Sequence, residues 1–568
     1  MKRLAFDSAY HRRALAAGCF SVGALNLWAA LLKLEPGRHS PIKEALGASA
    51  GAAPRFLMML AGLLLFTSIP GLLRAKRMSW AAALAAAVLS FTLRPLSPRD
   101  LDSLGGILSA GLALALVVAF SAFPARSDRR YIRRGLTWLV GGQLFVFLLG
   151  TVGLYVLDRE FVEPIDAREA FTNAVRLLFI LPATSIEPST RHGWYFIDAV
   201  RALSLTVLGV SLWHFAHPVL HNALVRPGDL ARVRALLAEY GTNALAQFHL
   251  LDDKSYRFSD DGLAFLSFRM VGTTAVVLGE PVGDGESCAA LARAFAAECQ
   301  LNGWRLAFHQ VTEVGAARLT ELGFKALKVG EEAVIPVRSF STSGKSFKHL
   351  RHEKNSLERD GYVVEELSQP LDDETVDELR EVSDAWMTEG GHRERGFTLG
   401  RFDPSYLRST RVFAVRRPGA RIEAFANVLP PYQATAGTFD LMRRRPDSPN
   451  GVMDLLMLYF IELFRDEGLE GVNLGLAPLS NIDAGGPVPT ALRLIYERGN
   501  AAFNFRGLRE FKAKWAPRWE SRFLVYTSEA DLLPVAVAVA KAGEEGGLWT
   551  PLVVRALSTA WRPFPHLH

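Results

Sequence analysis

The chain has very little cysteine and none of the common metal- or nucleotide-binding signatures. Its 568 residues include only Cys19, Cys288 and Cys299, which cannot build a disulfide framework, and no CxxC pair or Cys/His cluster predicts structural zinc. The HExxH motif is absent, and Ser339 stands where a P-loop ending at Ser346 would need its first glycine. We therefore predict no metal and no cofactor.

Charged residues are also scarce, and the first two hundred residues contain long uncharged, apolar runs. Charged residues make up 21% of the chain and apolar residues 49%, which excludes a disordered protein. Most of the runs reach the roughly 20 residues that a bilayer core requires. A weaker run at 170–186 contains Arg176 and Pro182, which favours an interfacial or re-entrant segment over a true span. The predicted spans, about six in number, are 14–32, 56–73, 78–93, 103–124, 135–157 and 196–217.

The charges of the intervening loops predict the orientation. Positive charge is concentrated in residues 1–13, 74–77 and 125–134, whereas 35–54 has little and 158–169 is acidic. Loops rich in Lys and Arg stay on the cytoplasmic side of the membrane, so the N-terminus is expected in the cytoplasm. An even number of spans, six, then returns the chain to the cytoplasm. The first run is too long for a signal-peptide core and is read as a retained anchor. The net charge of +6 suits a polyanionic partner, such as RNA or an anionic membrane surface.

From about residue 228, short β-rich runs alternate with amphipathic helices, a pattern typical of an α/β domain. The length of this part favours two similar halves joined near the Ser/Gly-rich stretch 339–346. The predicted strands are 263–269, 273–278, 304–309, 333–338, 361–367, 411–416, 422–428 and 471–476. The predicted helices are 229–239, 287–302, 346–360, 373–388, 452–467 and 488–498.

Polar clusters in this part are candidate sites. Asp440 precedes three arginines at a predicted strand end, which indicates either a functional acid or an exposed ion-paired turn. Residues 505–526 interleave basic and aromatic side chains, which suits phosphates and stacked bases, lipid headgroups, or an amphipathic edge. A basic helix around 345–354 repeats the charge pattern, with Lys348 and Arg351 on one face.

The segment after Asn450 predicts a buried helix. Asn450 is expected to cap it and Gly468 to end it, and its interior is apolar almost all round. Asp454 lies inside this run, where an acid is costly unless it is paired. The alternative is a first-turn acid favoured by the helix dipole.

Five motifs occur in a fixed order: LGEPVGD at 278–284, DLMRR at 440–444, NGVMD at 450–454, LGLAPLSN at 474–481 and FKAKWAPRW at 511–519. Together they resemble the catalytic domain of the multiple peptide resistance factor family, the phosphatidylglycerol lysyl- or alanyltransferases, over residues 228–530. The resemblance implies transfer of a lysyl or alanyl group from aminoacyl-tRNA to phosphatidylglycerol, which lowers the negative charge of the membrane and gives resistance to cationic antimicrobial peptides. An aminoacyl-tRNA donor also accounts for the lack of a full acetyl-CoA phosphate loop.

The predicted fold is a multi-span α-helical membrane domain followed by an α/β cytosolic domain, which the resemblance implies is built of tandem GNAT-like folds. Aminoacyl-tRNA, phosphatidylglycerol and the bilayer are the expected partners, membrane packing allows a homodimer, and the location is the bacterial cytoplasmic membrane. Family members that also flip lipid have a much longer membrane part. The resemblance therefore implies lipid synthesis for this chain but not lipid flipping. The predicted domains are 1–217 in the membrane, 218–343 and 344–530 as the two GNAT-like subdomains, the second catalytic, and 531–568 as a C-terminal extension.

This reaction assigns roles to the candidate residues. Asp440 would bind the amino group or move a proton, and Arg443 would orient Asp440 or bind the lipid phosphate. Lys514 and Arg518 would hold phosphate, with Lys512 as support. Asp454 and Asn450 would shape the pocket, and Glu497 is a second candidate acid. Three rivals stay open: a Fem-like transferase acting on a peptidoglycan precursor, a flippase with a regulatory soluble part, and a membrane-bound RNA-binding module. The sequence does not distinguish lysyl from alanyl transfer. The predicted substrate-binding residues are Asn450, Asp454, Glu497, Lys512, Arg518, Lys348 and Arg351.

Overall fold

The chain divides into two compact units, one formed chiefly by residues 1–221 and the other chiefly by residues 222–568. Each unit has hydrophobic cores of its own. The computed structural model describes residues 8–31, 53–73, 75–93, 101–125, 129–178, 186–215, 225–389, 394–478, 480 and 505–543.

The first unit is helical, and each of the six predicted apolar runs overlaps one of its helices. Within the described ranges, Leu104–Ala122, Arg133–Val156 and Arg191–Ser211 are long and apolar enough to cross a membrane, while Leu60–Leu73 and Arg77–Thr92 are shorter. The weaker run at 170–186 begins in a helix of 12 residues, shorter than a span. The helices are α1 (Ser8–Leu31), α2 (Ala53–Leu73), α3 (Arg77–Thr92), α4 (Leu101–Val118), α5 (Arg129–Val156), α6 (Ala167–Leu178) and α7 (Arg191–Phe215), with 3-10 helices at Ala119–Ala122 and Asp158–Glu160.

Helices α1 and α2 approach closely through glycine. A Cβ on Gly23 would lie 3.2 Å from the carbonyl oxygen of Gly62, and one on Gly62 would lie 3.0 Å from that of Gly23. Small residues of this kind let two helix backbones pack against each other. A buried hydrogen bond of 2.7 Å from Asn26 to Ser90 ties α1 to α3. These contacts are typical of helices that pack together in an apolar environment.

The second unit is α/β, and its described residues form one sheet of twelve strands. The order is β1-β2-β3-β5-β12-β6-β11-β10-β9-β8-β7, with β4 paired to β2. The strands are β1 (Ser255–Phe258), β2 (Ala264–Val271), β3 (Thr274–Leu278), β4 (Val282–Gly283), β5 (Arg305–Val311), β6 (Lys325–Pro336), β7 (Val363–Glu366), β8 (Arg411–Arg416), β9 (Ala424–Leu429), β10 (Ala436–Arg444), β11 (Gly471–Pro478) and β12 (Arg518–Tyr526). The helices are α8 (Asp229–Tyr240), α9 (Gly285–Asn302), α10 (Glu313–Glu321), α11 (Lys348–Arg359), α12 (Asp373–Thr388), α13 (Pro404–Arg408), α14 (Val452–Asp466), α15 (Phe505–Ala513) and α16 (Leu532–Ala542), with 3-10 helices at Ala246–Leu250 and Glu529–Asp531.

The sheet contains the same topology twice. In the first half, antiparallel β1, β2 and β3 lead through α9 to β5, which is parallel to β3, and then through α10 to β6. In the second half, antiparallel β8, β9 and β10 lead through α14 to β11, which is parallel to β10, and then through α15 to β12. The last strands are exchanged, because β6 pairs with β11 and β12 lies between β5 and β6. This exchange joins the two halves into one sheet.

The two faces of the second half are covered by different helices. Val412 and Ala414 of β8 belong to a core with residues of α12, whereas Phe413 and Val415 belong to a core with residues of α11 and α14. Successive side chains of a strand point to opposite faces, so α12 covers one face and α14 the other. Residues on these two faces therefore belong to separate environments.

The predicted elements are largely confirmed. All eight predicted strands overlap observed ones, and five of the six predicted helices are present. The sixth, 488–498, lies outside the described residues. Four observed strands overlap none of the eight predicted ranges: β1, β4, β10 and β12. Residues 518–526, which the sequence placed in the second subdomain as a basic and aromatic surface, pair with β5 and β6 of the first half.

Candidate active site

The parallel strands β10 and β11 separate part of the way along their length. They pair from Ala436 with Gly471 to Thr438 with Asn473, and the pairing ends there although both strands continue. Each strand has an irregularity just beyond that point, between Asp440 and Arg443 in β10 and between Asn473 and Leu476 in β11. Bulges re-aim side chains and end pairing, so the gap is a place where functional groups can gather. We call it the strand gap.

Asp440 is buried on the β10 side of the strand gap. Its Oδ2 accepts hydrogen bonds from the backbone N–H of Gly400 (2.7 Å) and the hydroxyl of Tyr406 (3.0 Å). Burial raises the pKa of Asp440 above its ordinary value, although these bonds, that of the Leu441 N–H and the charge of Arg443 oppose the rise. The prediction of a strand end at this position is wrong: Asp440 lies within β10, and Leu441 after it has a φ of 42°. The irregularity of β10 between Asp440 and Arg443 shapes the backbone at this position.

Arg443 is buried on the same face as Asp440. Its guanidinium donates two hydrogen bonds to the carboxylate of Glu394, at 2.9 and 2.8 Å, and a further one to Ser383 of α12. It also lies over the ring of Trp386, 5.2 Å from the centroid. A bidentate pair of this kind fixes the guanidinium plane. These contacts occupy much of the guanidinium, and Arg443 acts on Asp440 through its charge. Its orienting and phosphate-binding roles both stay predictions.

Lys512 lies on the β11 side of the strand gap. Its buried ammonium donates to the backbone carbonyls of Gly475 (2.9 Å) and Leu476 (2.8 Å). Burial lowers the pKa of Lys512 to about 8, and the carboxylate of Glu332 opposes that change. Gly475 has a φ of 76°, in the left-handed region that suits glycine. Lys512 therefore holds the irregular part of β11 through these two carbonyls. Its role as a support for phosphate binding stays a prediction.

The first turn of α14 carries a second polar group, on the opposite face of the sheet. The predicted cap is wrong, because Gly451, with a φ of 85°, is the N-cap residue and Asn450 is exposed. Asp454 is buried and forms an ion pair with Lys514, whose ammonium also lies 4.4 Å from the ring centroid of Phe511. This ion pair offsets the cost of burying Asp454, for which the sequence analysis expected a partner.

Two residues of α11 extend this group. Burial raises the pKa of Glu353, and the nearby carboxylate of Asp454 raises it further, while His349 opposes it. His349 lies 3.3 Å from Glu353. Two acids, one lysine and one histidine thus lie together at the start of α14.

The remaining predicted residues lie at the periphery. Lys348 is exposed at the start of α11, whereas Arg351 donates to the backbone carbonyls of Thr342 and Gly344, the latter at 2.9 Å. Arg518 is exposed and pairs with Glu520 at 2.8 Å. Glu497 lies outside the described residues. The structure thus divides the predicted set between the strand gap, the start of α14 and the surface.

A polar cavity of about 180 Å³ lies on the same face of the sheet as Asp440. It is bordered by β6, β11 and β12 and by the segments that precede β1 and β10. Ala436 and Asp440 are four residues apart on β10, so their side chains share that face. Side chains with hydrogen-bonding groups that line it include Asn243, Thr312, Thr435, Asn473, Arg518 and Arg522.

The motif at 278–284 lies in the first half of the sheet, where it has a structural role. Glu280 follows β3, and its carboxylate accepts from the hydroxyl (2.8 Å) and the N–H (3.2 Å) of Thr312. Thr312 is the N-cap of α10 and accepts from the N–H of Gly315. A protein carboxylate thus fills the helix N-terminus of this half, where an anion would otherwise bind.

Sequence reasoning missed the residues that contact the acid and its arginine: Gly400 and Tyr406 at Asp440, and Glu394, Ser383 and Trp386 at Arg443. The signal was weak, since Gly396 and Gly400 indicate only a loop and Tyr406 stands in an ordinary short helix. Across the described ranges, no group of three or more His, Cys, Asp or Glu side chains is arranged to hold a metal ion. The arrangement offers a buried acid, fixed cations and a polar cavity.

These features define a class: an α/β domain of two topologically alike halves, with a buried acid where a parallel strand pair separates. Residues 234–526 match the family model described as "Phosphatidylglycerol lysyltransferase, C-terminal". The chain belongs to the phosphatidylglycerol lysyltransferase family. The family suggested by the five motifs is thereby confirmed.

Individual relatives agree with this assignment. The chain is 32% identical over 476 residues to phosphatidylglycerol lysyltransferase of Bacillus subtilis (strain 168), covering 78% of this chain and 55% of that protein. It is 28% identical over 443 residues to the enzyme of that name from Staphylococcus aureus (strain MRSA252), covering 75% and 51%. The chain therefore spans about half the length of these curated relatives.

Two solved structures are similar to the second unit. The structure of L-PGS from Bacillus licheniformis has a TM-score of 0.52 and 32% identity, covering 56% of this chain and 98% of that one. The C-terminal domain of a putative lysylphosphatidylglycerol synthetase from Agrobacterium fabrum has a TM-score of 0.51 and 32% identity, covering 57% and 99%.

Proposed function

We propose that the protein is an aminoacyltransferase that moves a lysyl or alanyl group from charged tRNA to phosphatidylglycerol. The observation that carries this proposal is the family match over 234–526, within which Asp440 is buried at the strand gap. We take lysyl transfer to phosphatidylglycerol from the names of the relatives. The tRNA donor is what the family resemblance implies. Neither metal nor cofactor enters the reaction as we propose it.

The chemistry requires few protein groups, because the aminoacyl ester is already activated. A glycerol hydroxyl of phosphatidylglycerol attacks the ester carbonyl and loses its proton, and the ribose hydroxyl of the tRNA leaves with a proton. The protein positions both substrates and stabilises the oxyanion. Asp440 binds the amino group or moves the proton. The polar cavity on the same face of the sheet gives room for a polar substrate group, and no covalent enzyme intermediate is required.

The positive groups divide between positioning and substrate binding. Arg443, held by Glu394, orients Asp440, and Lys512 keeps the β11 side of the strand gap in shape. Lys514 and Arg518 are more accessible than Arg443 and Lys512 and hold phosphate. Asp454 and Asn450 shape the pocket, and Glu497 is a second acid. Lys348 and Arg351 lie on α11, whose basic surface suits the tRNA backbone.

The proposed architecture follows the function. Residues 1–217 form a multi-span membrane domain of about six spans, and 218–343 and 344–530 form tandem GNAT-like subdomains in the cytoplasm. Residues 531–568 form the C-terminal extension. In this topology the second unit lies on the same side of the membrane as charged tRNA and the cytoplasmic leaflet. The protein resides in the bacterial cytoplasmic membrane, where packing allows a homodimer.

A lipid analysis tests the proposal. The chain is expressed in a bacterium that makes phosphatidylglycerol but no aminoacylated form of it, and the lipid extract is examined by mass spectrometry. The expected product is phosphatidylglycerol carrying one lysyl or alanyl ester, which is absent with Asp440→Asn. An unmodified lipid pool together with an aminoacylated peptidoglycan precursor would instead support the Fem-like rival.

A further inference from the structure

The segment between α12 and α13 reaches Asp440 and Arg443 from outside the sheet. Its described part, Glu394–Phe402, delivers two groups: the N–H of Gly400, which donates to Asp440, and the carboxylate of Glu394, which holds Arg443. Phe402 donates its N–H to Glu394 at 3.3 Å, which ties the segment to itself. We call residues 394–402 the acid loop.

The acid loop is anchored to the first half of the sheet. The N–H of Phe397 donates to Asp253 at 2.8 Å, and the guanidinium of Arg401 donates to Asp252 at 2.6 Å. Asp253 is itself paired with the buried ammonium of Lys254. Since Asp252 and Asp253 precede β1, first-half residues determine where the loop presents Glu394 and Gly400.

Tyr406 supplies the second donor to the acid. It lies on α13, directly after the acid loop, and is buried, with its hydroxyl 3.0 Å from Oδ2 of Asp440. Gly400 donates to the same oxygen, so the two donors fix the rotation of the carboxylate. A phenylalanine would fill the same space, which means that packing alone does not require this hydroxyl.

We propose that Tyr406 and Glu394 are positioning residues for Asp440: Tyr406 acts directly through its hydroxyl, and Glu394 acts through Arg443. This inference rests on the proposed function and names the groups that set the orientation and charge of its central acid. The acid loop thereby makes the site in the second half depend on the first half.

The charged and titratable groups around Asp440 determine the direction of each effect. Arg443 of its own strand and the hydroxyl of Tyr406 favour the carboxylate of Asp440. Glu394 in the acid loop neutralises Arg443, so its charge is expected to disfavour that carboxylate, and Lys512 lies across the strand gap. Loss of the Tyr406 hydroxyl raises the pKa of Asp440, because the carboxylate loses a donor. Loss of the Glu394 charge lowers that pKa, because the positive charge of Arg443 is no longer neutralised.

The test is the pH dependence of transfer by the full chain in phosphatidylglycerol vesicles, with labelled aminoacyl-tRNA as donor. With Tyr406→Phe, we expect the acid limb of the rate profile to move up by about one pH unit, so that the rate below the limb falls about tenfold. With Glu394→Gln, the limb moves to lower pH. The control is Tyr362→Phe, which removes a buried hydroxyl that accepts from Arg417 in the other core, and its profile overlays the wild type.

Shifts of opposite sign separate positioning from a general loss of structure, which would lower the rate at every pH. If the acid limb of Tyr406→Phe lies at the same pH as that of the wild type, the inference is overturned while the proposed function stands. If thermal unfolding shows that Tyr406→Phe does not fold, the direction of the Glu394→Gln shift decides, and an upward shift overturns the inference. A wild-type chain that transfers no label overturns the proposed function itself.

Discussion

Asp440 is ionisable, buried and held by hydrogen-bond donors, a combination that costs a fold stability. Because burial raises its pKa, its contribution to stability is present below the ordinary aspartate pKa and is lost as pH rises through the raised pKa. At neutral pH, Asp440→Asn should therefore keep or raise Tm. We expect the same variant to lower the transfer rate by about 10²–10⁴-fold, the usual effect of losing a proton-transfer group.

Asp447→Asn is the matched control for this prediction. Asp447 is exposed and pairs with Arg421 at 2.7 Å, away from the strand gap. Its loss should change neither Tm nor transfer appreciably, since exposed ion pairs contribute little. Transfer at the wild-type rate in Asp440→Asn would remove Asp440 from the reaction.

Lys514 and Asp454 make a second prediction at the residue scale. Lys514→Met leaves the mostly buried Asp454 without its cation, which should destabilise the fold by about 1–2 kcal/mol. Asp454→Asn in the same chain should restore that stability, because it removes the uncompensated charge. Transfer should stay low in the double variant if Lys514 binds phosphate. Recovery of transfer along with stability would show that the lysine only serves the acid.

The acid loop can be probed as an element through its glycine. A Cβ on Gly400 would lie 2.2 Å from Oδ2 of Asp440 and 2.5 Å from the ring of Tyr406, so Gly400→Ala must displace the loop. We expect transfer to fall at least tenfold, since small displacements of positioned groups are costly to catalysis. Gly285→Ala, at the start of α9 with open space around it, is the control and should behave as wild type. Equal rates in both variants would contradict the assigned contact.

The irregular part of β11 gives a prediction in the pH dependence of stability. Lys512 has its pKa lowered from 10.5 to about 8 by burial, so above pH 8 the unfolded chain binds more protons than the folded one. Stability from this group therefore rises with pH between those values, by roughly 3 kcal/mol at most. Thermal unfolding in detergent from pH 7 to 10 should show this rise in the wild type and a smaller one in Lys512→Met. The exposed Lys541→Met serves as control, and identical slopes in all three proteins would refute the prediction.

Element by element, hydrophobic pattern was the reliable guide. The buried strand β8 and the apolar helix α14 were predictable because their periodicity is strong. Strands β10 and β12 were not, because the charged residues Asp440, Arg443 and Arg522 interrupt their alternation. Those charges are buried through partners distant in sequence, such as Glu394 for Arg443 and Glu332 for Arg522. The motif thus identified the acid, whereas its hydrogen-bond donors depended on the tertiary fold.

For the whole molecule, the apolar helices predict a protein that stays with the bilayer. Alkaline carbonate should leave it in the membrane pellet, because helices such as Arg133–Val156 bury enough apolar surface to resist extraction. In inside-out vesicles, protease should reach the second unit, as the positive loops predict. Release by carbonate, or protection of that unit in inside-out vesicles, would contradict the proposed topology.

The most direct test of the central claim is a transfer measurement. Membranes containing the chain are incubated with phosphatidylglycerol and with tRNA charged with labelled lysine or alanine, and the lipid extract is counted with and without prior RNase. We predict label in phosphatidylglycerol that RNase abolishes and Asp440→Asn does not produce, with the productive amino acid naming the specificity. Absence of lipid label with either donor, in protein shown to be folded, would contradict the proposed reaction.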